Sequence, residues 1–133
     1  MRLTAAAITL ALVAQPAIAQ TTTEHPLLHA VAGEVRPERL RADIEAMVAF
    51  GTRHTLSETQ SETRGIGAAR RWVGRQFQAI SAECGGCLTV ATPSQMFTGA
   101  RVPTSTEVMD VLAIQRGTGD PNRVIIISGH LDS

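Results

Sequence analysis

The last residues of the chain carry the side chains best suited to chemistry. The segment "SGHLDS" places His130 and Asp132 two positions apart, directly after the apolar run "RVIIIS". On an extended strand such residues point to the same side, so both can face one site at the strand's carboxyl end, where open α/β sheets bind ligands. A histidine that binds zinc usually donates its other ring N–H to a carboxylate or carbonyl. The pair therefore predicts one of two arrangements. Either His130 is a zinc ligand, with Asp132 as its orienting partner or as a further ligand, or the two side chains form a hydrogen bond that only stabilises the strand end.

The two cysteines form a second candidate site. Cys84 and Cys87 lie in "ECGGCL", and a Cys-x-x-Cys spacing occurs in redox pairs and in zinc ribbons. The sequence has no second such pair to complete a zinc ribbon. A thioredoxin-type motif opens a helix, whereas Cys87 opens a predicted strand after the end of a helix. In an exported protein the pattern favours a structural disulfide over free thiols or redox catalysis.

The remaining histidines are not predicted to bind metal. His25 and His29 have the spacing of one helix face, but Pro26 interrupts that helix, and histidines near a terminus are mostly solvated. His54 is far along the chain from His130, and we interpret it as a structural or surface residue.

The first twenty residues predict export. They combine Arg2, a short apolar stretch and small residues before Gln20, which is the pattern of a signal peptide at residues 1–19. The apolar stretch is too short to span a bilayer, so we expect no stable membrane anchor. The mature chain is expected to begin near residue 20 and to work in the periplasm or outside the cell.

Charge and composition narrow the class of partner. Lys plus Arg equals Asp plus Glu at 12 each, and this balance gives no support to a nucleic-acid partner. Aromatic residues make up only 3% of the chain, so the core is predicted to be aliphatic. The length allows about one ordinary domain. Nothing in the composition indicates an oligomeric state.

Two helices are predicted before the cysteines. Residues 20–36 show no sustained period and are interpreted as an arm. A helix is predicted to begin at Pro37 and to stop at Gly51, and a second to cover residues 63–82 behind a polar loop. The apolar positions of each helix share one stripe. In the first helix they are Leu40, Ile44, Met47 and Val48, and in the second they are Ile66, Ala69, Val73, Phe77 and Ile80. The arginines of the second helix are predicted to form a solvated face: Arg64, Arg70, Arg71 and Arg75.

Three strands are predicted after the cysteines, in "LTVATP", "STEVMDVLAIQRG" and "NRVIIISGH". The unbroken β-branched run at residues 124–127 predicts a strand covered on both faces. The segment "GTGDPN" between the last two predicts a turn. Helices followed by buried strands indicate an α/β fold with helices packed on a sheet.

Three stretches resemble the amino-terminal part of the secreted co-catalytic zinc aminopeptidases, the family that includes bacterial leucyl aminopeptidase and aminopeptidase Y. They are "MVAFGTRHTLSET", "GIGAARRWV" and "RVPTSTEVMDVLAIQRGTGDPNRVIIISGHLDS", in the family's order and behind an export signal. The resemblance implies a three-layer α/β/α fold with a mixed sheet. It implies that residues 37–133 hold only the amino-terminal helices and first strands of this fold, ending after the first metal-ligand strand.

The same resemblance implies a function. It makes His130 a ligand to one of two zinc ions and Asp132 the catalytic carboxylate that orients it. The complete enzyme would hydrolyse amino-terminal residues from peptides by a metal-activated water. Its other ligands and its base would lie downstream, so residues 1–133 alone are expected to be an inactive fragment. The alternatives are a glutaminyl cyclase or glutamate carboxypeptidase-like enzyme of the same fold, and a non-catalytic exported binding domain.

Overall fold

A computed structural model of the chain describes residues 25–120 and 122–133. The signal peptide predicted at residues 1–19 lies outside these residues. The chain divides into two units, Met1–Arg36 and Pro37–Ser133. Over the described ranges, no helix has the length and apolar character that crossing a bilayer requires.

The described part of the first unit contains helix α1, Pro26–Gly33. Pro26 stands at the start of this helix and begins it, so the expectation that it would interrupt a helix is wrong. A proline is well tolerated there because the first N–H groups of a helix have no intrahelical partner. The amides of Leu28 and His29 instead donate to the carbonyl oxygen of His25 at 2.9 and 3.2 Å.

Helix α2, Pro37–Ala49, begins the second unit and confirms the prediction that a helix starts at Pro37. Gly51 follows it with a φ of 67°, in the left-handed conformation that often ends helices. The apolar stripe of α2 is not buried as a core face would be. Leu40, Ile44 and Val48 are 52, 63 and 67% exposed.

Helix α3, Gly65–Glu83, also confirms a predicted helix, with a start two residues later than expected. Its first residues are buried under the loop of residues 51–64, and the buried apolar side chains of the described chain, Ile66, Ala68 and Ala69, all lie there. Phe50 and Trp72 extend this small core with an edge-to-face contact, their ring centroids 6.4 Å apart.

The loop supplies the hydrogen bonds that the first turn of α3 needs. The amide of Gly65 donates to the Phe50 carbonyl at 2.9 Å, and the amide of Ile66 donates to Ser57 Oγ at 3.0 Å. The amide of Gly67 donates to the Glu58 carbonyl at 3.1 Å. These groups would otherwise be buried without a partner, so the loop acts as the cap of α3.

The end of α3 leads through the cysteines into strand β1, Leu88–Ala91. Gly85 and Gly86 have positive φ, and their amides donate back to the carbonyls of Ala82 and Ser81, which closes the helix. Cys84 and Cys87 form a disulfide across this turn. Ser81 Oγ then donates to the Leu88 carbonyl at 2.9 Å and holds the start of β1.

The strands form two antiparallel pairs, so the chain is of the α/β class as predicted. Strand β1 pairs with β4, Leu112–Gln115, and helix α3 packs against β1. Strand β2, Ser94–Gly99, pairs with β3, Val102–Met109. The described sheets are two-stranded, and the three-layer arrangement with a mixed sheet stays a prediction.

The strands differ from the prediction in two ways. Strand β2 was not expected, because all of its residues are exposed and no alternating apolar pattern marks it. The single strand predicted over residues 105–117 is two strands, β3 and β4, which belong to different sheets. The chain leaves β3 at Asp110, whose amide donates to the carbonyl of Pro93 at 3.0 Å.

The prediction of a buried strand at residues 124–127 is wrong in this structure. These residues are not assigned to a helix or a strand, and their exposed fractions rise from 75% at Val124 to 95% at Ile127. A buried strand needs neighbouring strands for its amides and carbonyls and a covering layer for its side chains. The described residues offer this run neither.

Candidate metal site at His130 and Asp132

The structure brings the side chains of His130 and Asp132 into contact. His130 Nδ1 lies 2.9 Å from Asp132 Oδ1. A carboxylate can only accept, so Nδ1 carries the proton of this hydrogen bond. The other ring nitrogen, Nε2, then has a free lone pair, and the His130 side chain is 93% exposed. The arrangement has the polarity of a histidine prepared to bind a metal ion through Nε2.

The hydrogen bond from His130 also keeps the carboxylate ionised. It is the main reason why the pKa of Asp132 lies below its ordinary value, against an opposing effect of desolvation. The backbone N–H of Asp132 and electrostatic interactions with His130 and His54 lower this pKa further. An ionised carboxylate is the form that can orient an imidazole or bind a cation.

A distant arginine holds the backbone between these two side chains. Arg53 Nε donates to the carbonyl oxygen of Leu131 at 3.0 Å. Arg53 Nη1 donates to the carbonyl of Met47, near the end of α2, and lies 3.5 Å from the carbonyl of Gly51. Arg53 therefore joins the segment that contains His130 and Asp132 to the end of helix α2.

His54 is exposed, in agreement with its interpretation as a structural or surface residue. It makes the last-ranked contribution among the causes that lower the pKa of Asp132. Its Nδ1 accepts a hydrogen bond from the amide of Leu56 at 3.1 Å, so its orientation is fixed by its own loop. Neither Arg53 nor His54 was a predicted site residue, and 78 residues separate Arg53 from Leu131. No local pattern could have joined them.

The donors present fit part of a zinc site. Imidazole nitrogen and carboxylate oxygen are common zinc ligands, and a zinc site uses three or four protein ligands. Among the residues that the structure describes, no group of three or more His, Cys, Asp or Glu side chains could hold a metal ion. His25 and His29 likewise complete no such group there. His130 and Asp132 thus suit the roles of one ligand and its orienting partner, not of a complete site.

Two of the four arginines predicted to form a solvated face are not solvated, whereas Arg64 and Arg75 are exposed as predicted. Arg70 is only 7% exposed, and its Nη2 lies 3.5 Å from the carbonyl of Glu107. Arg71 is half-buried, donates to the carbonyls of Thr59 and Ser61, and lies 3.2 Å from Glu62 Oε1. A cavity of about 350 Å³ beside this part of α3 is lined by Arg70, Arg71, Gly74, Arg75, Gln78, Thr92 and Met109. Neither His130 nor Asp132 lines it.

Curated fungal proteins named probable zinc metalloprotease are similar to this chain. The protein from Pyricularia oryzae is 42% identical over 107 residues, which cover 80% of this chain and 21% of that protein. The protein from Pyrenophora teres f. teres is 44% identical over the same share of the chain and 22% of its own length. The protein from Leptosphaeria maculans is 36% identical over 107 residues, which cover 80% of this chain and 25% of that protein. This chain is a homologue of part of these proteins.

The chain spans about a fifth of the length of the curated relatives it matches first. Their shared name supports the resemblance to zinc peptidases at the level of zinc-dependent proteolysis. The name specifies neither the end from which a peptide is cut nor the number of zinc ions. No family model matches the chain. No solved structure matches it either.

Proposed function

We propose that the protein is a zinc-dependent exopeptidase of the aminopeptidase type, and that this chain contributes His130 and Asp132 to its metal site. The observation that carries the proposal is the 2.9 Å contact between His130 Nδ1 and Asp132 Oδ1. It leaves the exposed Nε2 as the atom that binds zinc, as expected for a histidine whose tautomer is fixed by a carboxylate. The names of the relatives support the choice of metal and of proteolysis.

The two residues have separate roles in this proposal. Asp132 accepts the Nδ1 proton of His130, which fixes the ring direction and makes Nε2 a better ligand. Zinc, when bound, supplies Lewis acidity and lowers the pKa of a bound water. The described residues offer no third ligand, so we place the other ligands, a second zinc ion and the base outside them. We expect residues 1–133 alone to hydrolyse little or no peptide.

The aminopeptidase type and the cellular location rest on the sequence. The names of the relatives favour proteolysis over a glutaminyl cyclase. The proposal of an aminopeptidase rests on the family resemblance of residues 47–59, 65–73 and 101–133. Export to the periplasm or the cell exterior follows from the signal peptide proposed at residues 1–19. Sequencing the amino terminus of secreted protein tests this, with a first residue near Gln20 as the expected result.

A zinc titration of the chain tests the role of His130. We expect Zn²⁺ to shift the Nε2 resonance of His130 in NMR spectra, and His130→Ala to remove this binding. Asp132→Asn should weaken it by about tenfold or more, because partners of metal ligands commonly contribute that much. His25→Ala, which removes a histidine of the first unit, serves as the control. Equal zinc affinity in wild type and His130→Ala would overturn the assignment.

The reaction itself is tested on the longest open reading frame that contains residues 1–133. We expect this protein to release the amino-terminal residue from a peptide with a free α-amino group, and to leave an N-acetylated peptide intact. A chelator should abolish the release, and added zinc should restore it. Cleavage at internal bonds of the acetylated peptide would contradict the aminopeptidase type while supporting a metalloprotease.

A further inference from the structure

Among the described residues, Arg53 is the residue whose side chain forms a hydrogen bond between the segment of residues 122–133 and the helical part of its unit. Within the described residues, the bond from Arg53 Nε to the Leu131 carbonyl is the only hydrogen bond that joins this segment to anything before Asp120. The segment forms no strand and no helix. Its backbone position near the candidate site therefore depends on few contacts, and the contact at Leu131 is central among them.

The position of the accepting carbonyl matters. Leu131 lies between His130 and Asp132, so its carbonyl belongs to the peptide plane that leads directly into Asp132. Because peptide units are planar, a fixed carbonyl direction also fixes the direction of the following amide and α-carbon. A hydrogen bond at this carbonyl thus restricts where the Asp132 carboxylate can lie relative to the His130 ring.

The other side of Arg53 is anchored on a helix end. Its Nη1 donates to the carbonyl of Met47, one of the last carbonyls of α2, which also accepts from the amide of Phe50 at 3.3 Å. The planar guanidinium carries five N–H donors in a fixed fork, so it can bond to both carbonyls at once. A lysine could place a charge here but could not reproduce this rigid bridge.

We propose that Arg53 is a positioning residue for the metal site. Through its hydrogen bond to the carbonyl of Leu131, it fixes the position of the Asp132 carboxylate relative to the His130 ring. This inference rests on the proposed function, because it assigns Arg53 a task toward the same zinc ligand. The described hydrogen bonds of Arg53 go to backbone carbonyls and not to the side chain of His130. Its effect is on the orientation of the Nε2 atom of His130.

The test compares Arg53→Ala with Arg41→Ala, which removes an exposed arginine of α2 that makes no described bond. Two quantities are measured on the full chain: the zinc affinity at His130, and the tautomer of the His130 ring from its ¹⁵N shifts without metal. We expect Arg53→Ala to weaken zinc binding by about tenfold or more and to reduce the Nδ1–H tautomer. Arg41→Ala should leave both quantities unchanged.

Arg53→Lys separates positioning from a merely structural role. It keeps a positive charge beside the carboxyl end of α2, which favours the helix, but it lacks the planar fork. We expect it to retain the wild-type free energy of unfolding and still to lose zinc affinity and the Nδ1–H tautomer. Wild-type values of both in Arg53→Lys would overturn the proposal, even where Arg53→Ala fails to fold.

The outcomes for the two proposals are distinct. If zinc binds at His130 with equal affinity in wild type and Arg53→Ala, the role of Arg53 is overturned and the proposed function stands. If zinc does not bind at His130 in the wild type, the proposed function fails. The metal-free tautomer then still decides the orienting part of the inference, because it reports the His130–Asp132 contact alone.

Discussion

The backbones of Gly67 and Thr59 pack directly against each other. A Cβ atom on Gly67 would lie 2.6 Å from the α-carbon of Thr59 and closer still to its carbonyl oxygen. The amide of Gly67 meanwhile donates to the carbonyl of Glu58 at 3.1 Å. The loop of residues 51–64, which carries Arg53 and His54, can close over the start of α3 only because residue 67 has no side chain.

Gly67→Ala should therefore destabilise the second unit, although alanine is the better helix former. The added methyl group meets backbone atoms that cannot move without losing the cap of α3, and overpacking of this kind costs about 1–3 kcal/mol or more. Gly74→Ala is the matched control, because a Cβ atom there meets nothing within 4 Å. It should stabilise the helix by about 1 kcal/mol. Urea unfolding followed by the fluorescence of Trp72 measures both, and equal effects would contradict the packing described.

The carboxyl group of Glu58 should make the stability of the loop that caps α3 depend on pH. Its Oε1 accepts from the amides of Gln60 and Ser61 at 2.6 and 3.3 Å, and these bonds hold the pKa of the carboxyl below its ordinary value. Because the folded state lowers this pKa, the carboxylate stabilises the fold above its unfolded pKa and loses this effect as the pH falls through the folded value. Glu58→Gln should lower the melting temperature at pH 7, and the difference from wild type should shrink at acid pH. Glu45→Gln, at an exposed position of α2, should show no such trend.

The periodic parts of the fold could be predicted from the sequence, and the exposed or short parts could not. Helix α3 has an apolar stripe and α2 has Pro37 at its start and Gly51 after its end, so the sequence predicts both helices. Helix α1 has only eight residues and no stripe, and β2 is exposed throughout. Such elements are defined by backbone hydrogen bonds and leave little mark on residue type.

The candidate site was predictable only where it is local. The spacing of His130 and Asp132 predicts their contact, because two residues on an extended segment share a side. The participation of Arg53 depends on a hydrogen bond to a backbone carbonyl 78 residues away, and backbone acceptors have no sequence signature. Arg70 shows the same limit, because arginine is mostly exposed as a residue type but is buried here beside the Glu107 carbonyl.

The dependence of the Asp132 pKa on His130 gives a direct test of their contact. The hydrogen bond from His130 is the main cause that lowers this pKa, so His130→Ala should raise it toward its ordinary value. The carboxylate form is then lost at a higher pH in the variant than in the wild type. The Cγ chemical shift of Asp132, followed from pH 7 to acid pH, measures the change. His25→Ala should leave the titration where it is, and a shift of equal size in both variants would count against the contact.

The exposed run of residues 124–127 predicts self-association of the isolated chain. Four consecutive β-branched residues with exposed fractions of 75 to 95% present both apolar side chains and unpaired backbone groups, which is the combination that allows strands of different molecules to pair. Ile126→Lys should weaken this association by about tenfold or more, since burial of one isoleucine side chain contributes about 1.5–3 kcal/mol.

Val48→Lys is the control for this last prediction, because Val48 is 67% exposed on helix α2, where its backbone groups are not available for strand pairing. It removes a comparable apolar surface and adds the same charge. Sedimentation velocity over a range of protein concentrations should show that Ile126→Lys shifts the chain toward monomer and Val48→Lys does not. Equal shifts would mean that association follows general hydrophobicity or net charge. A purely monomeric wild type would mean that residues 124–127 are covered within the molecule in solution.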